Sequence, residues 1–334
     1  MCSVTHRMLE RKELRKKFKY LIFPVAAIVV LLTSSCSESG STKQIRSTLF
    51  LLDASRSTIS SVSARESQLR ERLEGVFDTQ EAIYFDFIRT DFTKQLIVPL
   101  ISMQTIININ DAILKDAKDE KVRKETKELV TSIWQQALVD SRSQVECDSA
   151  STNQLSSQTV LSDTGARSIA RNICLSAAKA KEAFADIRDI GLGKSTEGLY
   201  IGSDVQGAFV RGLARLESES KNLINSKNEV VGVRATIVVS SDMMQRNSQG
   251  LRVIDEISGM SEEEIAEYVI NSRGAQDFRT LRPNIIIDGW LSTKKNFSEP
   301  ERILLETYWK TWFTTLDLDE PDFGFGVVDW SVTQ

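Results

Sequence analysis

The stretch STLFLLDASRSTISS, residues 47–61, decides the fold class. It begins as an apolar run that ends at Asp53, and Ser55 and Ser57 follow at alternate positions. A short apolar run bounded by polar residues is typical of a buried β-strand. Two interpretations of the polar part stay open. It is either a turn in which Ser57 caps a helix, or a set of three oxygen ligands directed at one metal ion.

Outward from this stretch, strand patterns alternate with amphipathic helical patterns. Further strands are predicted within 82–101, which holds two of them, and within 233–242 and 284–290. Alternation of this kind predicts an α/β fold with a doubly wound, mostly parallel central sheet that is flanked by helices.

A long helical segment, residues 103–197, interrupts this alternation, and we interpret it as a helical insertion that is separable from the metal site. Within it, the polar stretch around Cys147 is expected to be a loop, whereas Cys174 lies in a helical pattern. In an oxidising compartment these two cysteines are expected to form a disulfide bond. Two buried free thiols are the alternative.

The first 35 residues have the three-part pattern of an export signal. A basic segment precedes the apolar run YLIFPVAAIVVLL, which is too short to span a membrane as a helix. The small residues and the cysteine that follow resemble a bacterial lipobox, with Thr33 where Leu is usual and Cys36 as the acylated residue. The resemblance implies a lipid-anchored protein of the cell envelope, on the periplasmic face of the outer membrane in a Gram-negative host. Residues 36–46 would be the tether, and an uncleaved membrane anchor is the alternative.

Charge and histidine content exclude several functions. Residues 1–35 carry seven of the 42 basic and two of the 46 acidic residues, so the remaining chain has a net charge of −9. Such a surface argues against nucleic acid as a partner. The only histidine, His6, lies in the signal. The mature chain therefore lacks the residue that Ser-His-Asp and Cys-His catalysis and histidine zinc sites require, and we expect no enzyme.

Three positions at predicted strand ends or in loops carry hard oxygen ligands, and together they resemble the von Willebrand factor type A domain family. Asp53, Ser55 and Ser57 match the first element, D-x-S-x-S, of that family's metal-ion-dependent adhesion site. Ser203 stands where the family usually has Thr, and Asp242 matches the last element. The resemblance implies that these five residues bind Mg²⁺ or Mn²⁺.

The same resemblance implies how the site would be used. One coordination position stays open, and a carboxylate from a protein partner fills it, so that the metal bridges two proteins. The resemblance covers residues 47–318, and residues 319–334 are interpreted as an acidic and aromatic tail.

Three functions follow, from different classes. The first is a lipid-anchored adhesion, scaffold or assembly protein that binds its partner through Mg²⁺. The second is a structural lipoprotein with a vestigial metal site, in which the helical insertion does the binding. The third is a metal-assisted hydrolase, which is disfavoured because the sequence offers no general base beyond the ligands themselves.

Overall fold

The computed structural model describes residues 44–53, 59–88, 97–192, 204–244, 252–272, 281–289, 298–319 and 321–323, all within one compact unit, residues 41–334. The predicted signal, the lipidation site Cys36 and most of the tether lie outside the described residues. So do three of the predicted metal ligands, Ser55, Ser57 and Ser203.

One sheet of six strands forms the centre, in the order β3-β2-β1-β4-β5-β6. The strands are β1 (Gln44–Asp53), β2 (Glu81–Ile88), β3 (Val98–Ile101), β4 (Gly232–Ser240), β5 (Asn284–Asp288) and β6 (Asp322–Phe323). Only the pairing of β2 with β3 is antiparallel. The predicted α/β class with a mostly parallel sheet is therefore confirmed.

Two predicted boundaries differ from the structure. Strand β1 begins at Gln44, inside the predicted tether, and β6 lies inside the predicted tail. Both ends escaped prediction because they are short or polar, and the register with a neighbouring strand defines them.

The described residues also form ten helices. They are α1 (Ile59–Glu74), α2 (Val76–Thr79), α3 (Met103–Asp116), α4 (Glu120–Val139), α5 (Gln144–Gln158), α6 (Asp163–Gly191), α7 (Val205–Ser220), α8 (Val253–Ile257), α9 (Glu262–Ser272) and α10 (Glu299–Thr315).

Strand β1 lies in the middle of the sheet, and this position explains the apolar part of its sequence. It pairs with β2 on one side and with β4 on the other, and Leu49 to Leu52 are fully buried. A central parallel strand is covered on both faces, so the run from Leu49 to Leu52 is continuously apolar rather than alternating.

Helices cover both faces of the sheet. A side chain at Gly212 of α7 would collide with Leu49, which places α7 on the Leu49 face. Leu52, Ser240 and Asp288 share one register row on the opposite face, and Arg65 of α1 pairs with Asp288 there. Helices α1 and α7 therefore lie on opposite faces, as a doubly wound fold requires.

Helices α3 to α6, which form most of the predicted insertion, are packed into the core of the domain. Trp134 of α4 is fully buried, and its indole Nε1 donates to the Leu73 carbonyl of α1 at 2.5 Å. The same indole packs edge-on against Phe77 at 5.7 Å between ring centroids. These helices therefore share one core with α1, and their separability from the metal site stays a prediction.

The segment around Cys147 is helix α5 rather than a loop. Ser143 and Glu146 form a capping box, since the Ser143 N–H donates to Glu146 Oε2 at 2.9 Å and Ser143 Oγ accepts from the Glu146 N–H at 3.3 Å. Cys147, Ser151 and Leu155 are buried at i, i+4 and i+8. The many Ser and Thr residues around these three buried positions made the helical pattern hard to recognise in the sequence. Packing against α6, rather than local sequence, stabilises the helix.

Cys147 and Cys174 form a disulfide bond that joins α5 to α6, in agreement with the predicted pairing. Both cysteines are buried. Because α5 has few buried residues, the covalent link adds to the packing that keeps it on α6.

We expect the variant Cys147→Ser/Cys174→Ser to unfold at a lower urea concentration. With a sequence separation of 27 residues, the lost cross-link corresponds to about 3–4 kcal/mol of unfolding free energy. Reductant should lower the midpoint of the wild type and leave the variant unchanged. A wild-type midpoint that reductant does not move would contradict the role given to this bond.

Candidate functional site

The carboxyl ends of β1 and β4 lie side by side at the point where the strand order reverses. From β1 the sheet grows through β2 to β3, and from β4 it grows through β5 to β6. Open α/β sheets bind ligands in the crevice at such a reversal. Asp53 is the last residue of β1, and Asp242 follows β4 by two residues. The structure therefore brings these two predicted ligands to one edge, and both are buried, at 0% and 3% exposure.

Ser241 links the two strands at this edge. Its hydroxyl Oγ donates to Asp53 Oδ2 at 2.7 Å. The register explains the contact, since Leu52 pairs with Ser240 and the next residue on each strand points to the same face. Sequence reasoning missed Ser241, although its position directly before Asp242 was a usable signal.

The turn after β4 is held in an unusual conformation. Met243 has a φ of 61°, a left-handed value that costs a non-glycine residue about 1–3 kcal/mol. Three hydrogen bonds hold the turn. The Met243 N–H donates to Ser241 Oγ at 2.9 Å, the Met244 N–H donates to Asp242 Oδ1 at 3.1 Å, and Trp309 Nε1 donates to the Met243 carbonyl at 3.0 Å. The carboxylate of Asp242 is thus oriented by its own turn.

Helix α10 connects this turn to the start of α7. Tyr308, next to Trp309, accepts a hydrogen bond from Gln206 Nε2 at 2.7 Å. Burial raises the pKa of the Tyr308 phenol above its usual range, so the group stays protonated at neutral pH. Helix α7 therefore begins close to the Asp242 turn.

Asp204 is the N-cap of α7. Its Oδ1 accepts from the Gly207 N–H at 3.0 Å, and its Oδ2 lies 3.5 Å from Arg211 Nη1. The predicted ligand Ser203 immediately precedes this cap and lies outside the described residues.

A third buried carboxylate, Asp288, ends β5 and forms an ion pair with Arg65 of α1. By strand alternation Asp288 faces away from Asp53, so the two carboxylates lie on opposite faces of the sheet. An apolar run that ends in Asp, as at Asp53, was the signal available in the sequence. Nothing in the sequence pointed to Arg65.

The donor types at this edge fit a hard divalent cation. Mg²⁺ is commonly bound by one or two carboxylates together with several waters, and Asp53 and Asp242 supply two. Within the described ranges, no group of three or more His, Cys, Asp or Glu side chains is arranged to hold a metal ion. Further ligands would have to be the predicted serines and water.

Comparisons of the chain with protein-family models, with curated protein sequences and with solved structures find no match. The fold and the edge geometry therefore define the class directly: an α/β protein with buried carboxylates at the carboxyl edge of a mostly parallel sheet. Among the helices that the structure describes, none is both long and apolar enough to cross a membrane.

We expect Ser241→Ala to lower the free energy of unfolding by about 1–3 kcal/mol, because buried groups of Asp53 and Met243 each lose a hydrogen-bond partner. Urea denaturation measures the change. Ser156→Ala, at an exposed position on α5, is the matched control and should stay within about 0.5 kcal/mol of the wild type. Equal effects of the two substitutions would show that Ser241 does not support the edge.

Proposed function

We propose that this chain is a lipid-anchored protein of the cell envelope that binds a protein partner through Mg²⁺ or Mn²⁺. The observation that carries the proposal is the placement of Asp53 and Asp242 at the carboxyl ends of two adjacent parallel strands, where the strand order reverses. The resemblance of the D-x-S-x-S stretch to the von Willebrand factor type A family motivates the choice of ligand.

The proposed ligands are Asp53 and Asp242 together with the hydroxyls of Ser55, Ser57 and Ser203. A cation held by two carboxylates and neutral hydroxyls retains affinity for one more anionic oxygen, because charged ligands do not fill its coordination shell. A partner's carboxylate supplies that oxygen.

Binding is favoured over hydrolysis by the residue types at the edge. Activation of a water by a metal ion needs a group that accepts the proton, and the chain beyond its signal contains no histidine. The hydroxyl of Ser241 and the N–H of Met244 already occupy oxygens of Asp53 and Asp242.

Asp53→Ala should abolish metal binding and preserve the fold. The substitution removes a charged ligand, so Mg²⁺ and Mn²⁺ affinity should fall by more than the about 10- to 100-fold typical of residues that only orient a ligand. Isothermal titration calorimetry measures this, and circular dichroism checks the fold. Asp78→Ala removes an exposed carboxylate beside the start of β2, at the opposite edge, and should bind metal like the wild type.

If calorimetry gives Asp53→Ala the same metal affinity as the wild type, the proposed metal site is wrong. Ser55 and Ser57 would then be only turn and cap residues. A pull-down from envelope extract with and without EDTA then tests the partner. EDTA and Asp53→Ala should each release the same protein. A partner retained under both conditions would favour binding through helices α3 to α6.

Cys36 should carry the lipid. Wild-type protein should fractionate with membranes, and mass spectrometry should find an acylated N-terminal cysteine after loss of residues 1–35. Cys36→Ala should leave the chain unprocessed or release it from the membrane. Soluble wild-type protein with residues 1–35 intact would disprove the anchor.

A further inference from the structure

A buried ion pair lies beneath the candidate site, on the other face of the sheet. Arg65 of α1 and Asp288 at the end of β5 are exposed by only 1% and 0%. Charges so deeply buried lose their hydration, and a buried pair is often no more stabilising than apolar residues of similar volume. Stability alone is therefore a weak reason for this pair, and its position suggests another.

A continuous series of contacts runs from this pair to the predicted ligands. The backbone carbonyl of Asp288 accepts from the Ser241 N–H at 2.9 Å. The hydroxyl of the same serine donates to Asp53 Oδ2 at 2.7 Å. The location of Asp288 thus sets the location of Ser241, and Ser241 sets the orientation of Asp53.

The residue after Asp288 keeps these two strand ends close together. Gly289 has a φ of 83°, which favours glycine, and a Cβ at that position would lie 3.8 Å from the Ser241 carbonyl oxygen. The backbone of Gly289 therefore lies beside Ser241, next to the hydrogen bond that joins Ser241 to Asp288.

We propose that Arg65 and Asp288 are positioning residues for the metal site, which act through Ser241 on Asp53 and on the adjacent Asp242. This inference rests on the proposed function. Arg65 comes from α1, the first described helix after Asp53. The ion pair therefore also ties that helix to the end of β5, on the sheet face opposite Asp53. Neither residue contacts the metal ion; both hold the groups that do.

The test compares two ion pairs, each of which contains one arginine of α1. The variant Arg65→Met/Asp288→Asn removes the pair at the carboxyl edge. The variant Arg72→Met/Glu81→Gln removes a similar pair at the amino edge, where Arg72 Nε lies 2.8 Å from Glu81 Oε2 and both groups are at most 11% exposed. Each variant takes one guanidinium and one carboxylate from the protein, so the net charge stays equal.

Calorimetric titration with Mn²⁺ should show at least about tenfold weaker binding for Arg65→Met/Asp288→Asn, the loss typical of residues that orient metal ligands. Arg72→Met/Glu81→Gln should bind like the wild type. Without metal, hydrogen exchange at the Ser241 and Met243 amides should accelerate only in the carboxyl-edge variant. Arg65→Lys, which keeps the charge, should recover part of the affinity.

Two results would overturn the inference: equal Mn²⁺ affinity of the folded carboxyl-edge variant and the wild type, or unchanged exchange at Ser241 and Met243. If the double variant does not fold, the single variant Arg65→Gln decides, and wild-type Mn²⁺ affinity in that folded variant refutes the role. A wild type that binds no Mn²⁺ refutes the proposed function instead, and the exchange measurement then still decides whether the pair positions Ser241.

Discussion

The parallel pairing of β1 with β4 is the constraint on which the rest of the structure depends. It joins parts of the chain that are far apart, and the hydrogen bond from Ser241 to Asp53 spans 188 residues. Closing so long a connection costs conformational entropy, which burial of apolar surface must offset. Helices α3 to α6 provide part of that burial, because they occupy the connection between β3 and α7, and α6 packs against α1 and β3.

The carboxyl edge of the sheet contains polar groups that a purely apolar core would avoid. Asp53, Asp242 and Asp288 are all buried, and each is engaged by a hydroxyl, a backbone N–H or a guanidinium. Burial of such groups is unfavourable unless they are paired, so their concentration at one edge requires an explanation beyond stability. Placement at the reversal of strand order supplies one, since this is where sheets of this type bind ligands.

The amino edge offers an instructive contrast. Glu81 begins β2 and pairs with Arg72, while Tyr84 of the same strand donates to Glu219 of α7. Burial raises the pKa of Tyr84 well above its usual range, so this contact keeps its proton at neutral pH. These polar contacts tie helices to the sheet. The carboxyl edge has such helix contacts too, from Arg65 and Trp309, and in addition a hydrogen bond between its own strand ends, from Ser241 to Asp53.

Particular elements show which features of the structure could be predicted from the sequence. The apolar run of β1, the alternation of strands and helices and the two carboxylates at strand ends followed from the sequence pattern, because burial on both faces and the period of a helix leave direct traces in the chain. The Cys147–Cys174 pairing followed from the two cysteines that remain when Cys36 is assigned to the lipid. Helix α5 did not, since few apolar residues mark it and its stability comes from α6. The register between β1 and β4, the hydrogen bond from Ser241 and the partnership of Arg65 with Asp288 were decided only by the tertiary structure, because each depends on which distant strands become neighbours, and no local pattern records that choice.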